Sequence, residues 1–156
     1  MRSRRRGFTL IELIVVLGII TILGSSFYAA TQGIRRRTLN NTSLMLQSDM
    51  RRAQRMALIE GRRWRVTFYI QHNRYSIHSV PRRQAEYIYT TDLPRGVVFD
   101  ILPSVFVDYL PRGTLGGSGP TPGTGFTMYL RSGRYVQRIT VLPVTGRVAV
   151  SDIRRI

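Results

Sequence analysis

The chain has 156 residues, 43 % of them hydrophobic, enough for one ordinary domain plus one extra element. Cysteine is absent, which excludes disulfides, thiol chemistry and zinc sites built on thiolates. The formal net charge is +16 at pH 7, and a charge of that sign and size attracts polyanions, anionic lipid headgroups or an acidic partner subunit.

At the N-terminus, residues 2–6 read Arg-Ser-Arg-Arg-Arg, followed by Gly7 and then Phe8-Thr9-Leu10-Ile11-Glu12-Leu13. No charged residue falls within 13–34. As a helix that run is about 33 Å long, enough for a bilayer core of ~30 Å. A secretory signal peptide also begins with a basic head, but its apolar core is shorter, and the end of this run, Phe27-Tyr28-Ala29-Ala30, puts Tyr28 where cleavage needs a small residue. Arg35, Arg36 and Arg37 follow the run as Arg2, Arg4, Arg5 and Arg6 precede it, so charge bias gives no clear orientation. Glu12 is the residue that a signal peptide or a plain anchor leaves unexplained. A carboxylate near the centre of a membrane helix costs roughly 2.5–3.5 kcal/mol. No arginine lies within helical reach on the apolar side, so the counter-charge must come from another chain or from a chain terminus.

Arg5-Arg6-Gly7-Phe8-Thr9-Leu10-Ile11-Glu12-Leu13 resembles the class III signal of type IV pilins and type II secretion pseudopilins. The resemblance implies a leader, residues 1–7, that prepilin peptidase removes by cutting between Gly7 and Phe8, with N-methylation of the new Phe8 amine. It implies a transmembrane and assembly helix over 8–34 and a soluble domain over 35–156. Thr9 and Glu12 receive assembly roles, the Glu12 carboxylate meeting the N-terminal amine of a neighbouring subunit. The implied location is the bacterial inner membrane, N-terminus cytoplasmic and C-terminal domain extracytoplasmic, and then a filament. The implied partners are other pilins or pseudopilins, prepilin peptidase and inner-membrane lipid. Removing the leader would place Glu12 in the first turns of a helix, where the macrodipole favours negative charge.

Beyond the arginine run, an amphipathic helix is predicted over 38–60. Leu39, Leu46, Met50, Ala53 and Ala57 form one helical stripe, and Gly61 is placed to cap it. From residue 62 the period changes to two. Strands are predicted over 65–71 and 75–80 around a tight turn at His72-Asn73, then over 87–90, 97–102 and 105–110. Residues 111–125, rich in glycine and proline, read as a loop. Phe126, Met128 and Leu130 alternate in a further strand, Ser132-Gly133 fits a hairpin turn, 135–142 returns, and 146–150 closes the pattern. The hairpin, the proline-containing connection and the Gly-Arg-Val strand resemble the C-terminal part of the GspH/FimT group of pseudopilins. The predicted fold class is α+β: a long N-terminal helix packed on a small antiparallel sheet.

Catalysis is not expected. The acids are scattered singly, His72 and His78 lack a third ligand nearby in sequence, and Gly116-Gly117-Ser118-Gly119-Pro120 lacks the last glycine of a nucleophile elbow. Neither a metal nor a cofactor is predicted. All 24 basic residues are arginine, which suits bidentate contacts with phosphate or carboxylate and is equally what codon bias in a GC-rich genome produces. Arg51, Arg55, Arg62, Arg131, Arg134, Arg138, Arg147, Arg154 and Arg155 are candidates for DNA contact, several of them interleaved with Trp64, Tyr129 and Tyr135. The expected function is that of a minor pseudopilin of a type II secretion system or related pilus machine. The alternative, permitted by the resemblance to FimT-like pilins, is a DNA receptor in natural transformation.

Overall fold

The structure, a computed structural model, describes the backbone of residues 9–80, 87–116 and 125–156, and the side chains of these apart from 25–31 and 87–89. The expected cleavage site at Gly7 and Phe8 and most of the expected 111–125 loop lie outside the described residues. The first element is α1 (Leu10–Glu60). Contacts divide the chain into two compact units, Met1–Ile34 and Arg35–Ile156.

In the first unit, the apolar side chains from Leu10 to Leu23 are exposed. Thr21 Oγ1 donates to Leu17 O at 2.8 Å, which satisfies its hydroxyl inside an apolar helix. Among the described residues no helix is long and apolar enough to cross a membrane. Residues 25–31, in the second half of the expected span, are those whose side chains lie outside the description.

In the second unit, α1 lays down the predicted stripe: Leu39, Leu46, Met50, Ala53 and Ala57 are all buried. The helix ends at Glu60 because Gly61 takes a left-handed conformation, φ 62°. The strands that follow are β1 (Arg63–Tyr69), β2 (Arg74–Val80), β3 (Tyr87–Asp92), β4 (Val98–Ile101), β5 (Phe106–Tyr109), β6 (Phe126–Ser132), β7 (Tyr135–Val141), β8 (Val148–Val150) and β9 (Arg154–Arg155).

They build two antiparallel sheets where the sequence pattern led us to expect one. The first runs β3-β2-β1-β5; the second runs β4-β6-β7-β8, with β9 also on β7. Leu93 and Val97, both buried, carry the chain from the first sheet to the second, and β5 then returns to the edge of the first. The inward faces, Trp64, Val66 and Phe68 from β1 and Phe126, Met128 and Leu130 from β6, share one core with the helix stripe. Phe68 joins the sheets, stacked on Phe126 at 5.8 Å between centroids and edge-on to Phe99 at 5.5 Å.

Two hairpins differ from expectation by a residue or more. β1 starts at Arg63, and Ile70 leaves the strand for a one-turn 3₁₀ segment, Ile70–His72, closed by Asn73 at φ 50°. Asn73 tolerates that conformation and its Nδ2 donates to Val97 O at 2.6 Å, so the side chain that allows the turn also ties it to the next loop. In the β6–β7 hairpin Ser132 pairs with Tyr135, so the loop residues are Gly133 and Arg134, with Gly133 at φ 58°. β9 was not anticipated: two arginines carry no apolar alternation to announce a strand.

Polar tethers fix α1 on the strands. Gln47 Nε2 donates to Val148 O at 2.9 Å, Gln54 Nε2 donates to both Gly113 O and Thr145 O at 2.7 Å, and the Tyr75 hydroxyl donates to the Asp49 carboxylate.

Candidate functional site

Thr9 and Glu12 stand at the start of α1. The Glu12 N–H donates to Thr9 O at 3.1 Å and approaches Thr9 Oγ1 at 3.4 Å, and the Leu13 N–H also reaches Thr9 O. Thr-Leu-Ile-Glu has the spacing of a capping box, in which the N-cap hydroxyl accepts the third N–H and the glutamate faces back toward the helix start. The sequence reading missed this capping role, although Thr9 and Glu12, three apart ahead of an apolar run, carry its signal. Glu12 lies in the first turn, is exposed, and forms no ion pair among the described residues. An exposed carboxylate on the first turn of an apolar helix lies where the macrodipole favours negative charge.

The nine arginines named from sequence separate into three groups. Arg51 and Arg55 on α1 meet Arg147 around a cavity of about 460 Å³ between the helix and the turn before β8. Gly146 shapes that wall. Its φ is 62°, and a Cβ there would stand 2.2 Å from Gly113 O and 2.6 Å from Gln54 Nε2, so only glycine lets the two loops close on the Gln54 amide.

A second group occupies the outer face of the second sheet. Tyr129 and Arg138 are direct cross-strand partners, and Arg154, opposite Val136, joins them around a small cavity of about 50 Å³. Arg131 lies on the same face but its Nε is 3.1 Å from Asp100 Oδ1. Tyr135, which sequence proximity placed among these arginines, packs against the core, and Arg155 stands opposite it in register. Arg134 sits in the β6–β7 turn.

The third group is structural. Arg62 lies beyond the helix end, its Nε 2.6 Å from Glu60 Oε2 and its guanidinium 5.8 Å from the Trp64 ring centroid. Glu60 Oε2 also accepts the Trp64 indole N–H at 3.1 Å. The sequence reading missed Asp108 and the ion pair it forms with Arg65. Asp108 is buried and accepts from Arg65 Nε at 2.6 Å and Arg65 Nη2 at 2.9 Å, while the guanidinium lies 4.0 Å over the Phe106 ring. The hydrogen bond to Asp108 holds the Arg65 pKa above its ordinary value, against the opposing effect of burial. Nothing local signals a pair 43 residues apart; it needed the β1–β5 register.

His72 is exposed and His78 half-buried, and among the described residues no group of three or more His, Asp or Glu side chains gathers to hold a metal ion.

Residues 2–28 match the prokaryotic N-terminal methylation motif. None of the curated proteins matches the chain in sequence. Among solved structures, the type IV minor pilin FimU of Pseudomonas aeruginosa superposes with a TM-score of 0.61 at 16 % identity, over 75 % of this chain and 90 % of that one. The minor pseudopilin EpsH from the Type 2 Secretion System of Vibrio cholerae superposes with a TM-score of 0.56 at 13 % identity, over 72 % of this chain and 95 % of that one. A second EpsH crystal structure gives 0.55 at 11 % identity, over 74 % and 97 %. The chain thus carries the N-terminal methylation motif and has a pilin-like fold, a helix packed on antiparallel strands, similar to that of these minor pilin and pseudopilin structures.

Proposed function

We propose that this chain is a minor pseudopilin or minor pilin, a structural subunit that enters a filament of a type II secretion system or type IV pilus machine through its N-terminal helix. The observation that carries this reading is Glu12: an exposed carboxylate on the first turn of an apolar helix, three residues after a capping threonine, inside a prepilin methylation motif. In this reading prepilin peptidase cuts between Gly7 and Phe8, the Phe8 amine is methylated, and residues 8–34 anchor the protein in the inner membrane with residues 35–156 on the extracytoplasmic side. Glu12 then pairs with the Phe8 amine of a neighbour, which sets the stagger between packed helices. Such a pair selects register more than it adds stability, because desolvating both charges offsets most of their attraction. The test is intact-mass analysis of the protein extracted from membranes, together with filament incorporation of Glu12→Ala. A product beginning at methylated Phe8, and loss of incorporation in the variant, are expected. A mature protein that keeps Arg2–Arg6, or a variant that assembles normally, overturns the reading.

A second reading, a DNA receptor in natural transformation, is favoured by Tyr129, Arg138 and Arg154 sharing the outer face of the second sheet. Guanidinium groups beside an aromatic ring suit backbone neutralisation and base stacking. Binding to single-stranded DNA that weakens steeply with salt, and weakens again in Arg138→Ala, supports it; no binding at low salt removes it.

A further inference from the structure

We propose that the groove between α1 and β8 is a docking site for an extended, acidic segment of another protein chain. The inference goes beyond filament assembly and does not depend on it.

The first ground is how charge is distributed. Five acids of the second unit are committed elsewhere, Glu60 to Arg62, Asp92 to Arg74, Asp100 to Arg131, Asp108 to Arg65 and Asp49 to the Tyr75 hydroxyl, and Asp152 lies beside Arg138 and Arg154 rather than in the groove. Arg51, Arg55 and Arg147 have no ion-pair partner among the described residues, and all three line one groove. No carboxylate lines either of its two adjoining cavities, of about 460 and 410 Å³. Three guanidinium groups gathered without a counter-charge repel one another, and an anionic occupant relieves that repulsion.

The second ground is the open backbone of β8. The Leu142 N–H donates to Arg147 O and the Ser151 N–H donates to Arg138 O. Antiparallel alternation then turns the Ala149 groups toward β7 and those of Val148 and Val150 away from it. Val148 O is taken by Gln47 Nε2. The Val148 N–H and both backbone groups of Val150 form no hydrogen bond among the described residues, and both residues line the groove. An added strand reads such an edge through its main chain.

The lining also separates a peptide from a nucleic acid. No aromatic side chain lines either cavity, so bases have nothing to stack on. Leu44 and Leu142 supply apolar contact on opposite sides, which suits a strand alternating carboxylates with aliphatic side chains.

The experiment uses the full chain in an uncharged detergent and a fluorescent peptide alternating glutamate with valine. Saturable binding is expected, weakened about tenfold or more, ~1.4 kcal/mol, by Arg51→Ala combined with Arg147→Ala. Of two peptides N-methylated at odd or at even amides, one should lose binding to a similar degree. In the unmutated protein, amide exchange at Val148 and Val150 should slow when peptide is bound, a readout that does not depend on a variant folding. The proposal is overturned by absence of binding at about 1 mM peptide, near the weakest affinity worth calling specific. It is also overturned if both methylated peptides bind as the parent does, or if an oligothymidylate displaces the peptide and slows no β8 amide, which would reassign the groove to phosphate.

Discussion

Replacing either member of the Arg65–Asp108 pair should destabilise the second unit, and by unequal amounts. The Asp108 side chain is only 4 % exposed, whereas that of Arg65 is 29 % exposed. In Arg65→Ala the carboxylate stays in the interior; the remaining cation beside it among the described residues is Arg63, its Nη1 at 3.8 Å, too long for a hydrogen bond. Breaking a buried pair in this sense costs about 3–5 kcal/mol. Loss of the guanidinium stacked 4.0 Å over Phe106 adds about 0.5–1 kcal/mol. In Asp108→Ala the surviving charge is Arg65, which can turn to water, so the expected cost is the lower one of about 1.5–3 kcal/mol for a hydrogen bond to a charged group. Trp64, the only tryptophan, is buried on the same strand and reports unfolding by fluorescence. With a urea slope of about 1–3 kcal/mol/M, the gap between the variants should appear as a midpoint difference on the order of 1 M. Equal midpoints, or a less stable Asp108→Ala, would refute the claim that the desolvated carboxylate decides the sign.

Three further outcomes follow from buried groups. Gly146→Ala would force a Cβ to 2.2 Å from Gly113 O at φ 62°, so a loss of at least about 2 kcal/mol is expected in the same urea assay. Met50→Ala empties a fully buried position on the helix stripe and should cost about 2–5 kcal/mol, read as a lower unfolding midpoint. The Tyr109 hydroxyl is buried without a hydrogen bond among the described residues, so Tyr109→Phe should be neutral or stabilising by up to about 1 kcal/mol. Burial pushes the Tyr109 phenol well above its usual value. The folded protein therefore holds that proton more tightly than the unfolded chain, and the stability it contributes is complete below about pH 10 and declines above it. Urea midpoints measured on either side of pH 10 should fall less in Tyr109→Phe than in the parent; identical slopes would exclude Tyr109 as the source.

The elements that were legible in the sequence are those whose signal is local. The helix stripe from Leu39 to Ala57 repeats with the period of a helix, and the alternations Val66/Phe68 and Phe126/Met128/Leu130 repeat with that of a strand; burial follows both. What was not legible depends on remote pairing. Two sheets rather than one follow from β4 choosing β6, and β5 returning to β1, choices made by Leu93, Val97 and the Phe68–Phe99–Phe126 contact rather than by any short motif. Turn positions slipped by one residue where the glycine, not the residue before it, takes the first loop position, as at Gly133. How the arginines group in space was not legible either: Arg62 adjoins Arg63 in sequence yet serves Glu60 and Trp64, while Arg147, remote from Arg51 and Arg55, faces them.

That last contrast explains how a chain so basic can fold around so few acids. Each buried or half-buried carboxylate is spent on a strand or a helix end: Asp108 joins β1 to β5, Asp100 holds Arg131 across β4 and β6, Asp49 ties α1 to β2, and Glu60 closes the helix onto Trp64. Acids used this way neutralise the arginines that packing brings inward and leave the others at the surface. Among the described residues those surplus arginines are not spread evenly; Arg51, Arg55 and Arg147 collect beside β8, and Arg138 and Arg154 on the outer face that carries Tyr129. Uncompensated like charge opposes compaction; Asp152 lies beside Arg138 and Arg154, whereas no carboxylate lines the groove of Arg51, Arg55 and Arg147, so screening ions or an anionic partner should stabilise the folded domain most there. The same accounting sorts the arginines by expected effect: substitution of the buried-pair arginine, Arg65, should lower stability, whereas substitution of Arg51, Arg55 or Arg147, which have no ion pair among the described residues, should cost little stability.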